Sequence, residues 1–211
     1  MESLFKIEND IIRVYLARNW SREDKMLGEK QPIAFSIICL GGIMEARNRN
    51  LEEWYGKIKR SEIKLPRFQR FEAWDRHRIT SLNETVIHNL PLGITLVLDV
   101  GDQEKFVSRF LSTAPEKDGR VIEHLLDGQQ RLTALWRTFH NNYENETYYI
   151  YFKEFDRYRG DIDREDLSVF CRSRYYDKKG DRYPLWCDSP PQCLERGMIP
   201  TDLLRPEDIQ K

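Results

Sequence analysis

Two short segments carry the residue types that could handle an anion: Leu65-Pro66-Arg67-Phe68-Gln69-Arg70, and His124-Leu125-Leu126-Asp127-Gly128-Gln129-Gln130-Arg131-Leu132-Thr133. Each sets arginine and glutamine where a short extended run ends, and the second does so where a strand turns into a helix. Unpaired N–H groups and the helix dipole gather positive potential at such a point, which suits a phosphate. Gly128 permits a tight turn and a close approach of ligand to backbone. Arg131, on the first helical turn, could fork onto phosphate oxygens, and Arg70 could do the same from the other segment. The same residues also read as plain local structure: Asp127-Gly128 a turn, Asp127 an N-cap, and Gln129-Gln130-Arg131 a solvated first turn. Two such segments, separated by an amphipathic helix and two strands, weigh toward chemistry.

Other constellations are weaker. His140-Asn141-Asn142 hints at an HNH nuclease, but no further histidine follows it. His77 and His124 are lone histidines near element starts, a setting more often structural than catalytic. The acids Asp156, Asp161, Asp163, Glu165 and Asp166 alternate with Arg157, Arg159 and Arg164, which favours a solvated, salt-bridged loop over a metal site. No GxxxxGK[ST] P-loop is present, so any nucleotide site is not of that type.

The elements that must position the two segments follow from periodicity and punctuation. Leu4, Ile7, Ile11, Val14 or Tyr15, and Trp20 predict a helix over 4–20, and the apolar run 33–44 reads as a buried helix. Asn50 with Glu53 has capping-box spacing and starts a helix through Ile58. Pro66 keeps 63–69 extended. Asp75 caps the next helix, whose inward stripe is Ile79, Leu82, Val86 and Leu90; Pro91 and Gly93 end it. Ile94–Leu98 and Val121–Leu126 read as strands, with a polar loop and a short helix around Phe106–Leu111 between them. Gln129–Asn141 predicts a helix burying Leu132, Leu135, Trp136 and Phe139, and Tyr148–Phe152 a third strand. Residues 156–182 are charge-dense with no usable period, and prolines punctuate the remainder. The division expected is an N-terminal helical extension over 1–60, a core over 61–155 holding both motifs, and an irregular C-terminal extension over 156–211.

Composition narrows the class. With 211 residues, 40% hydrophobic and 33% charged, the chain is long enough for one substantial core and is not disordered. The net charge of −1 means that no global field recruits nucleic acid, only local patches. Residues 57–78 hold eight Lys/Arg against three acids, interleaved with Phe68, Phe71 and Trp74, a pattern suited to DNA or nucleotides. Residues 172–182 hold a second basic stretch beside Tyr175 and Tyr176, better read as a solvated face. Cys39, Cys171, Cys187 and Cys193 form no C-x-x-C pair and are expected to be reduced thiols. Acids near Met1 rule out a signal-peptide pattern, and Ala34–Met44 is too short to span a bilayer, so a cytoplasmic location without membrane contact is expected.

LPRFQRFEAW at 65–74, LPLGITLVLDV at 90–100 and LLDGQQRLTAL at 125–135 resemble the GmrSD-type restriction-endonuclease N-terminal domain, of the ParB/sulfiredoxin-like superfamily. The likeness runs from about Asn50 to Asn142, and DGQQR is its most specific part. It implies an α+β fold, a small mixed sheet flanked by helices. It further implies that the two motifs share one pocket that binds a nucleoside triphosphate with Mg²⁺ and hydrolyses it. On that reading Asp127 holds Mg²⁺ or takes a proton from water, and Gln129 or Gln130 orients the water. Gln69, Arg70, Gly128 and Arg131 hold the phosphates, and Trp74 or Phe71 stacks on the base. Helical periodicity sets Gln129 and Gln130 about 100° apart, which favours one of them facing the ligand. The resemblance implies a modification-dependent restriction or phage-defence system, with a nuclease domain after residue 211 or on a partner. The rival is a DNA-binding module that reads modified DNA through 57–78 without turnover.

Overall fold

The computed structural model describes residues 11–16, 37–39, 42–152 and 166–206. They divide into two compact units, one drawn from 1–72 and 91–130, the other from 73–90 and 131–211. The architecture is α+β.

The first unit is built on a mixed sheet of seven strands among the described residues, in the order β2-β3-β1-β5-β7-β4-β6. They are β1 (Ile11–Leu16), β2 (Ile37–Cys39), β3 (Gly42–Asn48), β4 (Ile63–Pro66), β5 (Ile94–Asp99), β6 (Ser108–Arg109) and β7 (Glu123–Asp127). The register that matters for the site is β4 beside β7: they run parallel, with Ile63 opposite Glu123 and Lys64 opposite His124. Both motif segments therefore leave the same end of the sheet. Helix α1 (Leu51–Lys59) starts where the sequence places it, with the Asn50 side chain accepting from the Glu53 N–H at 2.8 Å. Its Trp54, Tyr55 and Ile58 are buried, as are Ile63, Leu65, Val97 and Leu125 of the strands. Each such side chain contributes roughly 1.5–3 kcal/mol of burial.

The N-terminal helices expected from periodicity are not what the described residues form. The described parts of 4–20 and 33–44 are strands: Val14 pairs with Ala46 on one side and Leu96 on the other, and Ile37 pairs with Met44. The helical stripe at 7, 11 and 14 coincides with a β-branched run, Ile11-Ile12-Arg13-Val14, which a strand accommodates better. The short helix expected near 106–111 is likewise replaced by β6, an edge strand paired with β4.

The second unit holds α2 (Arg76–Ile87), most of α3 (Gln129–Phe139) and a three-stranded antiparallel sheet, β12-β8-β9. Its strands are β8 (Glu146–Phe152), β9 (Leu167–Ser173) and β12 (Met198–Pro200), and β10 (Tyr175–Tyr176) and β11 (Arg182–Tyr183) form a separate two-stranded ladder. Asp75 caps α2 by accepting from the Arg78 N–H at 2.9 Å. Ile79, Leu82 and Val86 are buried, but Leu90 is 53% exposed, because the helix stops at Ile87 and Asn89 turns the chain at φ +55°. On α3, Leu132, Leu135, Trp136 and Phe139 are all buried. The C-terminal stretch is more regular than its composition indicates. Arg174, buried despite its charge, donates to Asp188, to Thr147 Oγ1 at 2.9 Å and to the carbonyls of Arg182 and Tyr183. A fully partnered guanidinium of this kind ties a loop to a sheet that periodicity alone would not reveal. Among the described residues no helix is long and apolar enough to cross a membrane, and Cys171, Cys187 and Cys193 are free thiols.

The first residue of β7 anchors the first unit. Glu123 is fully buried and accepts from both Nη atoms of Arg49 at 2.7 and 2.8 Å and from Lys57 Nζ at 2.6 Å. Burial opposes its charge, but Arg49 and then Lys57 outweigh that and hold the carboxyl below the usual carboxylate range. Beside it, His124 is also fully buried, with Phe106 edge-on to its ring and Glu104 3.9 Å from Nε2. Desolvation lowers its pKa, exceeding the pull of Glu104. Both shifts have the same sign. The unfolded chain binds more protons, so stability falls as pH drops, first below about 6.5 for the histidine and then below about 4.3 for the glutamate. The melting temperature is expected to decline between about pH 7.5 and 5.5, with a shallower slope in His124→Phe. Equal slopes in the two proteins would show that His124 does not set the decline.

Candidate functional site

The 65–71 segment leaves β4 through a turn in which the Gln69 N–H donates to the Pro66 carbonyl at 3.1 Å. The 127–130 segment leaves β7 through Gly128, whose φ of +91° lies in the left-handed region where any Cβ is disfavoured. Helix α3 begins at the next residue.

Three glutamine side chains join these segments. Gln69 Nε2 donates to the carbonyls of Leu125 and, at 3.0 Å, of Leu126 on β7. Gln129 Nε2 donates to the Arg70 carbonyl at 3.0 Å, and Gln130 Nε2 to the Phe71 carbonyl at 3.1 Å. Arg109 of β6 adds a bond from Nη2 to the same Arg70 carbonyl at 3.1 Å. Residues separated by 59 positions in the chain are thus fixed side by side. Each bond of this kind is worth about 1 kcal/mol net, and the carbonyls it satisfies would otherwise be costly to leave near a buried turn.

Periodicity favours one of Gln129 and Gln130 facing away. Instead both are buried and both turn toward the 70–71 backbone. Successive carbonyls point in different directions, so neighbouring helix residues about 100° apart can each meet one. Their amide nitrogens are committed to backbone.

The charged members stand at the outer side of this clasp. Asp127 is exposed at the end of β7, and Arg70 is exposed as well. Neither Arg67 nor Arg70 has a side-chain partner among the described residues, so both cations remain available to an anion. Arg131 and Trp74, the remaining residues singled out from the sequence, are half-buried and fall in the second unit. Among the described residues no three of His, Cys, Asp and Glu gather as a group that could hold a metal by themselves.

More than half of the basic patch at 57–78 is engaged within the protein. Lys57 is bound to Glu123, Arg60 to Glu62 and Arg76 to Glu146, and Lys64 Nζ sits 4.5 Å from the Phe110 ring centroid. The field that composition promised to DNA is correspondingly reduced. His140 stacks on Trp136 with ring centroids 3.7 Å apart, a structural use of the ring. Of the acidic run at 156–166, only Asp166 is among the described residues.

Comparison with known proteins agrees with the two motifs. The family model described as the GmrSD restriction endonuclease N-terminal domain matches residues 51–187, which include both segments. An uncharacterized protein of Methanocaldococcus jannaschii is 28% identical over 139 residues, 61% of this chain and 24% of that protein. The chain thus spans about a quarter of that relative's length. No solved structure matches the chain. The family match takes in well over half of the chain, both clasped segments included, and the chain belongs to the GmrSD restriction endonuclease N-terminal domain family.

Proposed function

We propose that the chain binds a nucleoside triphosphate with Mg²⁺ at the 65–71 and 127–130 segments and hydrolyses it, and that this turnover regulates a nuclease in a restriction system. The observation that carries the reading is the clasp. Three buried or half-buried amides fix two loops at one end of a sheet, while an exposed carboxylate and two arginines without side-chain partners among the described residues are left at its edge. Phosphoryl transfer asks for that kind of fixed, charged edge, since catalysis there is mostly positioning and electrostatic stabilisation.

Asp127 fits Mg²⁺ as its protein ligand. The ion keeps several waters and usually takes one or two carboxylates plus substrate phosphates, rather than a cage of three side chains. When bound, it neutralises charge on the phosphate oxygens. Arg70 contributes charge-assisted hydrogen bonds to those oxygens, and Gly128 lets them come close to the backbone at the start of α3. Gln129 or Gln130 orients the attacking water, and Arg131, the next residue of α3, is the second phosphate arginine. The wider activity against modified foreign DNA belongs to the same proposal, with the nuclease in the same chain or on a partner.

A binding screen of the four nucleoside triphosphates with and without Mg²⁺ tests this. Saturable, Mg²⁺-dependent binding is expected, with modest dependence on salt. Duplex binding through phosphates would instead weaken steeply with salt, because counterions are released. Tight, salt-steep duplex binding with no nucleotide binding would replace the proposal by a DNA-reading module.

A further inference from the structure

We propose that Phe71 is the platform on which the nucleobase stacks, a proposal that rests on the nucleotide reading of the same segments. The ring is 77% exposed, an unfavourable setting for a phenylalanine. Yet the residue is not loose. Its carbonyl accepts from Gln130 Nε2 at 3.1 Å, and the carbonyl before it accepts from both Gln129 and Arg109. The Arg109 guanidinium lies over one face of the ring, 4.8 Å from its centroid. Arg109 is itself seated on β6, which pairs with β4 through Leu65. The sheet edge thus holds a ring whose remaining surface faces outward.

A planar, anionic ligand matches these surroundings. Every base offers a π-face to an aromatic ring, and Arg67 and Arg70 supply cations from the same short segment. The preorganised ring costs little further entropy when the base settles on it. A free nucleoside triphosphate suits the site better than a polynucleotide, because much of the neighbouring basic charge is already paired.

The test compares wild type, Phe71→Ala, Phe71→Leu and Phe71→Trp for binding of each nucleoside triphosphate, of inorganic tripolyphosphate and of a short single-stranded oligonucleotide, all with Mg²⁺. Loss of stacking in Phe71→Ala and Phe71→Leu should weaken nucleotide binding about 5- to 150-fold. Tripolyphosphate binding should not change, and Phe71→Trp should retain nucleotide affinity. Phe71→Leu keeps an apolar side chain and so serves if the alanine variant misfolds. Equal nucleotide affinity across the series overturns the proposal, as does a parallel loss of tripolyphosphate. An effect confined to the oligonucleotide overturns it too. A wild type that binds neither tripolyphosphate nor nucleotide fails differently, by removing the nucleotide reading itself.

Discussion

Asp127→Asn is expected to lower nucleoside triphosphate turnover by about 10²–10³, the scale of losing one preorganised electrostatic contact to a transition state. Its melting temperature should stay near that of wild type. The substitution separates chemistry from structure because asparagine serves a turn as well as aspartate does. If Asp127 only shapes the turn before α3, the asparagine variant keeps its turnover. If the carboxylate carries Mg²⁺, turnover falls while the fold persists. Arg70→Ala should act mainly on binding, weakening nucleotide affinity about 10- to 150-fold through loss of a charge-assisted hydrogen bond. Its carbonyl, which Gln129 and Arg109 hold, is unaffected by the change of side chain. Steady-state kinetics of phosphate release, with thermal melts on the same samples, checks both. Full activity in Asp127→Asn would remove that residue from catalysis.

Glu123→Gln is expected to cost about 3–5 kcal/mol of stability, a large loss for a single substitution. The carboxylate is fully buried and neutralises Arg49, whose guanidinium also lies 4.3 Å from the Trp54 ring centroid, together with Lys57 of α1. Without its charge, two cations remain close together with an amide whose oxygen can accept from one of them but can neutralise neither. The melting temperature should fall on the order of 10 °C in a chain of this size. A loss below about 1 kcal/mol, typical of a surface pair, would mean that Arg49 and Lys57 find water instead.

The contrast between these residues shows what a sequence makes visible. Asn50 and Asp75 are legible as caps because a cap is decided within four residues. The stripe Ile79, Leu82, Val86 is legible for the same reason, up to the point where Asn89 turns the chain before Leu90 can join it. Asp127-Gly128 announces its turn, and the positive φ of Gly128 is a geometry that glycine adopts without strain. By contrast, the ion cluster of Glu123 depends on Arg49, 74 residues away, and a lone acid at a strand start gives no sign of it. The N-terminal strands are hidden because Ile7, Ile11 and Val14 fit a helical period and a β-branched strand equally well. Only pairing with Ala46 and Leu96 decides between them.

The candidate site is legible in its residues and not in its construction. The family resemblance implies that Gln69 and one of Gln129 and Gln130 face a ligand. Their principal visible contacts are with the protein's own backbone, and no local pattern encodes which carbonyls they meet. They hold the two segments together so that Arg70 and Asp127 stay in place. The glutamines of DGQQR are scaffolding on these contacts, and the proposed chemistry adds to that role rather than replacing it.

The most direct test of nucleotide binding at the clasp is photo-crosslinking of the intact chain with an azido-nucleoside triphosphate and Mg²⁺, followed by peptide mapping. Saturable label is predicted on peptides containing residues 67–71 and 127–131, competed by unlabelled nucleotide and lost in Arg70→Ala. Label that maps elsewhere, or that unlabelled nucleotide does not compete, would contradict a nucleotide site between these two segments.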